Sequence, residues 1–234
     1  MGPAATAAAL LLMLARRSVL GALLWPMLGG CGKAGDAAQR RMEKPMTVAK
    51  EFQGLSVRVA LAVEADALVL SYEARATGSE AIFLLDGIHD PAAGGKLPMR
   101  NRPWVFVGEG EAVLTARFHA APPGMFVNAL NVPVPTRIAP GERIERRVTA
   151  SLPLVGDEPY RKFERPPVPQ RRELPVFFEL GWFVGRPGVE AMAKSVETSE
   201  GPRMAFPSVS EEGQQVGRFG PLGSVPVIAN ALRA

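Results

Sequence analysis

The sequence predicts an all-β fold built from two antiparallel sheets, and three observations carry that prediction. Apolar and polar residues alternate with a period of two from Leu55 onward, the spacing that puts one face of a strand in a core. Turn formers punctuate the chain throughout, with 24 glycines and 22 prolines in 234 residues. Between these breaks no amphipathic segment reaches normal helical length.

Each element follows from its local pattern. Leu55, Val57, Val59, Leu61 and Val63 share one face. Ala65-Asp66 turns the chain into a second strand with Leu68, Leu70, Tyr72 and Ala74 on one side, so the pair reads as a hairpin. Thr77-Gly78-Ser79 leads into Ala81–Ile88, an almost unbroken apolar run suited to a central strand. Trp104–Val107 and Ala112–Phe118 flank Gly108-Glu109-Gly110 as a second hairpin. The stretch from Pro122 to Pro140 reads as a long loop. Ala139-Pro140-Gly141-Glu142 then turns into Arg143–Leu152, where Ile144, Val148, Ala150 and Leu152 form one face and Arg146 interrupts it, so Arg146 needs a partner. Residues 153–173 read as a Pro-rich charged crossover, and Leu174–Val184 as the last strand.

Seven short strands over about 130 residues form the pattern of an immunoglobulin-like two-sheet antiparallel sandwich, placed at residues 51–185. Residues 186–234 are rich in Gly, Pro, Ser and Glu and are expected to be an extended or partly disordered C-terminal tail. Within it, 191–196 suggests a helical turn or two, and Val225-Pro226-Val227-Ile228 a segment that docks on the domain.

The N-terminus carries a different signal. Arg16-Arg17 precede an uncharged, mainly apolar run from Ser18 to Leu28, ending in Leu28-Gly29-Gly30-Cys31. An uncleaved anchor over residues 4–28 would place both arginines at mid-bilayer, at considerable cost. The last four residues resemble the lipobox of bacterial lipoproteins. The resemblance implies cleavage between Gly30 and Cys31 (residues 1–30 being the signal peptide), a lipid on the Cys31 sulfur, and a tether over 31–50. Met13 is a plausible start, since Met13-Leu14-Ala15-Arg16-Arg17 makes an ordinary basic leader. Arg16-Arg17-Ser18-Val19-Leu20 also resembles a twin-arginine export signal. Gly32 after the cysteine, where an aspartate signals inner-membrane retention in some lipoproteins, leans toward the outer membrane.

Cysteine and charge counts exclude several function classes. Cys31 is the only cysteine, so no intramolecular disulfide or multi-thiolate metal centre can form, and two histidines restrict His-based sites. Removing residues 1–30 takes two of the 27 basic residues and none of the 23 acids, so the remaining chain carries +2 rather than +4. That balance, with no recognition motif, argues against nucleic acid as a partner.

Candidate sites are few. Asp86-Gly87-Ile88-His89-Asp90 is the place where acids flank a histidine, and Asp86 is expected to cap the following turn. His89, Met99, His119 and Met125 combine imidazole with thioether sulfur, a set suited to Cu(I). Their order is similar to that of periplasmic copper chaperones, which also use a β-sandwich. Those carry a Met directly after the first His and a His-x-Met later, where this chain has Asp90 and Ala121. His119 lies in line with Thr115 and Arg117, so an exposed strand-end histidine is the simpler expectation. Arg161, Lys162, Arg165, Arg171 and Arg172 make the 153–173 loop a candidate partner loop, its Pro166-Pro167-Val168-Pro169 centre favouring an extended helix. Trp104, Phe106, Phe177 and Phe183 are expected in the core or an aromatic patch. The Pro140-Gly141-Glu142 turn resembles turns of bacterial Ig-like modules, including the intracellular proteinase inhibitors of bacilli.

No nucleophile elbow, phosphate loop or His-Glu-x-x-His motif occurs, and no catalytic residue or cofactor is expected. The reading is a membrane-anchored envelope lipoprotein facing the periplasm, with a non-enzymatic module that binds an envelope protein or ligand. Copper handling and peptidase inhibition through the 153–173 loop are the alternatives.

Overall fold

Alternation of small and branched apolar residues with polar ones produces, among the described residues of a computed structural model, sixteen strands and one short helix. The structure describes residues 46–89, 97–100, 102–126, 131–161, 163–164, 170–207, 210–228 and 231–232. The strands run β1 (Met46–Phe52), β2 (Leu55–Glu64), β3 (Ala67–Ala76), β4 (Ala81–Gly87), β5 (Trp104–Val107), β6 (Ala112–Ala116), β7 (Val134–Ile138) and β8 (Arg143–Ser151). They continue as β9 (Leu154–Val155), β10 (Phe163–Glu164), β11 (Arg171–Gly185), β12 (Lys194–Thr198), β13 (Gly201–Ala205), β14 (Gln215–Phe219), β15 (Ser224–Ile228) and β16 (Ala231–Leu232). The helix α1 (Pro187–Glu190) is a single turn, and no described helix is long and apolar enough to cross a membrane.

One sheet is antiparallel in the order β1-β2-β3-β8. The expected hairpin of β2 and β3 forms in full register, Leu55 opposite Ala76 through Glu64 opposite Ala67, with Ala65 at positive φ in the turn. The second sheet has eight strands organised on the fifteen-residue β11, which pairs β15, β14, β6 and β4 along its length, with β7 beyond β4. Two pairings here, β6 with β11 and β15 with β9, are parallel, so the sheet is mixed rather than purely antiparallel. Neither sheet closes into a barrel.

The sheets share one apolar core. Leu55, Val57, Val59, Leu70 and Tyr72 from the first meet Leu114, Val176, Phe178, Leu180, Trp182 and Phe219 from the second, all buried. Burial of such a side chain contributes about 1.5–3 kcal/mol each. Tyr72 stacks on Phe178 with ring centroids 5.5 Å apart, and Phe52 packs on Trp182 at 4.8 Å. Phe52 belongs to β1, so residues 46–50 are strand paired to β2, not tether.

The second correction concerns residues 186–234. β14 and β15 are ladders of the main sheet, and Phe219, Val225 and Val227 lie in its core, so this region is not a tail. The docking of Val225–Ile228 takes the form of strand pairing, with Leu174 and Arg172 opposite Val225 and Val227. β12 and β13 make a separate hairpin where a helical turn was expected at 191–196. The stretch from Pro122 to Pro140, expected as loop, contains β7, which pairs β4. Residues 1–45, with Cys31, Gly30, Arg16 and Arg17, lie outside the described residues.

Candidate functional site

Asp86 sits at the end of β4, where the β4–β7 ladder shifts register between Leu84 and Gly87. The shift turns the carboxyl group inward, and its side chain is 2% exposed. A buried carboxylate needs donors on both oxygens. Oδ1 accepts from the Thr136 hydroxyl on β7 at 2.7 Å and from Arg203 Nη1 on β13 at 3.1 Å. Oδ2 accepts from the Tyr72 hydroxyl on β3 at 3.1 Å and from Arg146 Nε on β8 at 3.1 Å. Thr136 Oγ1 in turn accepts from Arg203 Nη1 at 2.7 Å and Arg146 Nη2 at 3.2 Å, so the hydroxyl is fully used.

Five strands therefore converge on one carboxyl group. The expectation that Asp86 caps the following turn is replaced by this cross-strand role. Gly87 makes the approach possible: a Cβ there would run into the Val134 carbonyl oxygen and lie 2.8 Å from Arg203 Nη1. The electrostatics are mutual. Burial works to lower the Arg203 pKa, but Asp86 and Glu200 outweigh it and the net shift is upward. Burial first, and then the Asp86 charge, push the Tyr72 phenol well above its ordinary value, so it remains a donor.

Above the hub opens a cleft of about 650 Å³ whose walls carry Arg137, Arg146, Arg147, Arg203, Thr136 and Glu200. Such a volume suits a small ligand. Arg203 is 9% exposed and fixed by Asp86, while Arg137 and Arg147 stand at the rim, more than a third exposed, on Glu190 at 3.0 Å and Glu64 at 2.7 Å. Rim pairs of this kind contribute about 1 kcal/mol or less and exchange readily. Guanidinium groups present planar donor forks that match carboxylate and phosphate oxygens. No protein-family model, curated protein or solved structure matches this chain.

A second cleft of about 720 Å³ is lined by Arg100, Arg102, Asp157, Thr149 and Ser151 among others. Arg100 is ion-paired to Asp157 and lies 4.1 Å over the Trp104 ring, and Arg102 is 3.6 Å from the same carboxylate. Both arginines here share the Asp157 carboxylate.

The residues singled out in sequence are dispersed. His89 and Met99 face each other across an isolated antiparallel bridge. His119 is buried rather than exposed, with Nε2 2.8 Å from the Thr115 hydroxyl and its ring stacked on Phe106 at 4.8 Å. Burial, then the charge of Arg117, lowers its pKa to about 3. Met125 is exposed on the turn closed by its own N–H donating to the Pro122 carbonyl. Among the described residues no group of three His, Cys, Asp or Glu side chains is placed to hold a metal ion.

In the 153–173 segment, Leu154–Val155 and Arg171–Glu173 are strand, Arg161 pairs with Glu158 at 3.3 Å, and Arg172 donates to the Glu109 carbonyl. The side chains of Lys162 and Arg165, like Asp90, lie outside the described residues. Trp104 is buried, Phe183 stacks on Phe83, and Phe177 lies beneath Arg218, so the aromatic residues are spread over separate contacts. Sequence reasoning passed over Thr136, Arg137 and Arg203 in segments read as loop and tail. The available signal was Arg146, a cation on an apolar face.

Proposed function

We propose that this chain is a lipid-anchored, non-enzymatic binding module of the bacterial cell envelope that holds an anionic ligand in the arginine-lined cleft. In this reading Cys31 carries the lipid and residues 31–45 form the tether. An immunoglobulin-like sandwich, departing from the common pattern by its two parallel pairings, is the rigid body. The observation that carries the proposal is the hub: a buried Asp86 fixes two guanidinium groups from β8 and β13 at the floor of a cleft with two more at its rim. Fixed donors bind with less ordering cost than free ones. The resemblance of Leu28-Gly29-Gly30-Cys31 to a lipobox supports a module held at a membrane surface facing the periplasm, with Gly32 favouring the outer membrane.

The test has two arms on the full chain expressed in bacteria. Metabolic labelling with a radioactive fatty acid is expected to mark the wild type and not Cys31→Ser, which should leave the membrane fraction; labelling of both overturns the anchor. Affinity capture from detergent-solubilised envelope is expected to recover a component that the Arg137→Gln, Arg147→Gln double variant loses. Equal recovery by the two proteins overturns the cleft.

The His89–Met99 bridge supports a second reading, soft-metal handling. A Cu(I) titration unchanged by His89→Ala removes it.

A further inference from the structure

Arg203 has two carboxylate partners of opposite character. Asp86, on Nη1, is 2% exposed and held by four donors from four strands. Glu200, on Nη2 at 2.6 Å, is 44% exposed and stands on the turn between β12 and β13, three residues from Arg203 itself. Its backbone N–H is held by the Thr198 hydroxyl at 3.2 Å, and Gly201 follows at φ +104, so the turn presents the Glu200 carboxylate toward Arg203 while its other side meets solvent. Among the described residues lining the cleft, Glu200 is the one acid.

From this arrangement we infer that the ligand is a small carboxylate-bearing molecule, and that its carboxylate replaces Glu200 on Arg203. The inference rests on the cleft reading above and adds the ligand class and the place it binds. Exchange of one carboxylate for another at Nη2 conserves the charge-assisted hydrogen bond, so it costs little at that atom. Asp86 keeps the guanidinium in place while the exchange occurs. Pro202 and Met204 beside Arg203 offer apolar contact to the body of the ligand, Ser195 a hydroxyl, and Arg147 a second cation for a second acidic group. Displaced Glu200 loses only a partly solvated contact, since nearly half of its side chain already faces water.

The experiment is isothermal titration of the full chain in detergent, wild type and Glu200→Ala, with succinate, with a free-carboxyl tripeptide and with the same tripeptide amidated. Succinate and the free-carboxyl tripeptide separate an organic acid from a peptide end as the source of the carboxylate. Removing the internal competitor should tighten the preferred carboxylate probe about three- to tenfold, and the amide should not bind. Arg147→Gln should weaken succinate in both backgrounds. Unfolding midpoints of wild type and Glu200→Ala within about 2 °C keep the comparison clean. Carboxylate binding that is equal in wild type and Glu200→Ala, or equal for acid and amide, overturns the exchange at Arg203 while leaving the cleft reading intact. Absence of carboxylate binding in both proteins overturns the ligand class. If inorganic phosphate also fails to bind either protein, the cleft reading falls with it.

Discussion

Asp86 and His119 are both buried polar side chains beside a strand end, and the protein accommodates them by opposite means. Around Asp86 it gathers two guanidinium groups and two hydroxyls from four strands. Around His119 it gathers one hydroxyl and one aromatic ring, and burial and Arg117 hold the imidazole neutral, with its pKa lowered to about 3. An ion pair in the interior must recover a desolvation cost of several kcal/mol per charge, whereas a neutral imidazole needs little more than one hydrogen bond. The difference separates a region organised around charge from one organised around packing. Only the first lies beneath a cleft lined with further cations.

The largest expected effect comes from breaking that organisation. Asp86→Ala removes the acceptor shared by Arg146 and Arg203 and leaves Arg203, 9% exposed, with Glu200 as its remaining carboxylate. Removing one partner of a buried pair costs about 3–5 kcal/mol, whereas Glu64→Ala at the exposed Arg147 pair should cost about 1 kcal/mol or less. Urea unfolding of the two variants checks the contrast. Equal losses would mean that the hub is no more than another surface pair.

The contrast also bears on what the sequence reveals. The two hairpins, β2 with β3 and β5 with β6, were legible because period-two alternation and short turns are local signals. β7 and β15 were not, since Pro135 and Pro226 sit inside them and proline demotes a strand reading. The parallel pairing of β6 with β11 was also hidden, since it joins segments about sixty residues apart with the intervening strands elsewhere. Of the site, Arg146 announced that it needed a partner, but the partner lies 60 residues away, and Arg203 lies 117 residues from Asp86. Asp86 itself ends an apolar run before a glycine, which is also the local appearance of a turn cap. His119 misled in the other direction: its polar neighbours in sequence, Thr115 and Arg117, suggested exposure, yet Thr115 is buried beneath it.

An intermediate effect tests the neutral histidine. The His119 pKa falls from its ordinary 6.5 in the unfolded chain to about 3 in the folded one. Between those values the unfolded state binds the extra proton, so stability is complete above pH 6.5 and declines as pH falls toward 3. From pH 7 to pH 5 this group should remove about 2 kcal/mol. Subtracting the same measurement on His119→Gln isolates the histidine from the carboxylates. A wild type and variant with parallel pH profiles would show that His119 is already solvated in the folded protein.

The smallest effect joins the apolar core to the hub. Tyr72→Phe keeps the ring on Phe178 and deletes one donor, the hydroxyl 3.1 Å from Asp86 Oδ2. That oxygen still receives Arg146 Nε, and Oδ1 still receives Thr136 and Arg203, so no oxygen of the carboxylate is orphaned. The loss should be that of a single net hydrogen bond, about 1 kcal/mol by urea unfolding. Combining it with Asp86→Ala sharpens the point. If the phenol stabilises the fold through Asp86, its substitution should cost almost nothing once Asp86 is gone, apart from the relief of an unpaired hydroxyl. A full additional loss in the double variant would show that the hydroxyl stabilises the fold independently of Asp86. The hub would then be two guanidinium groups and a threonine around a carboxylate, with the tyrosine only a neighbour.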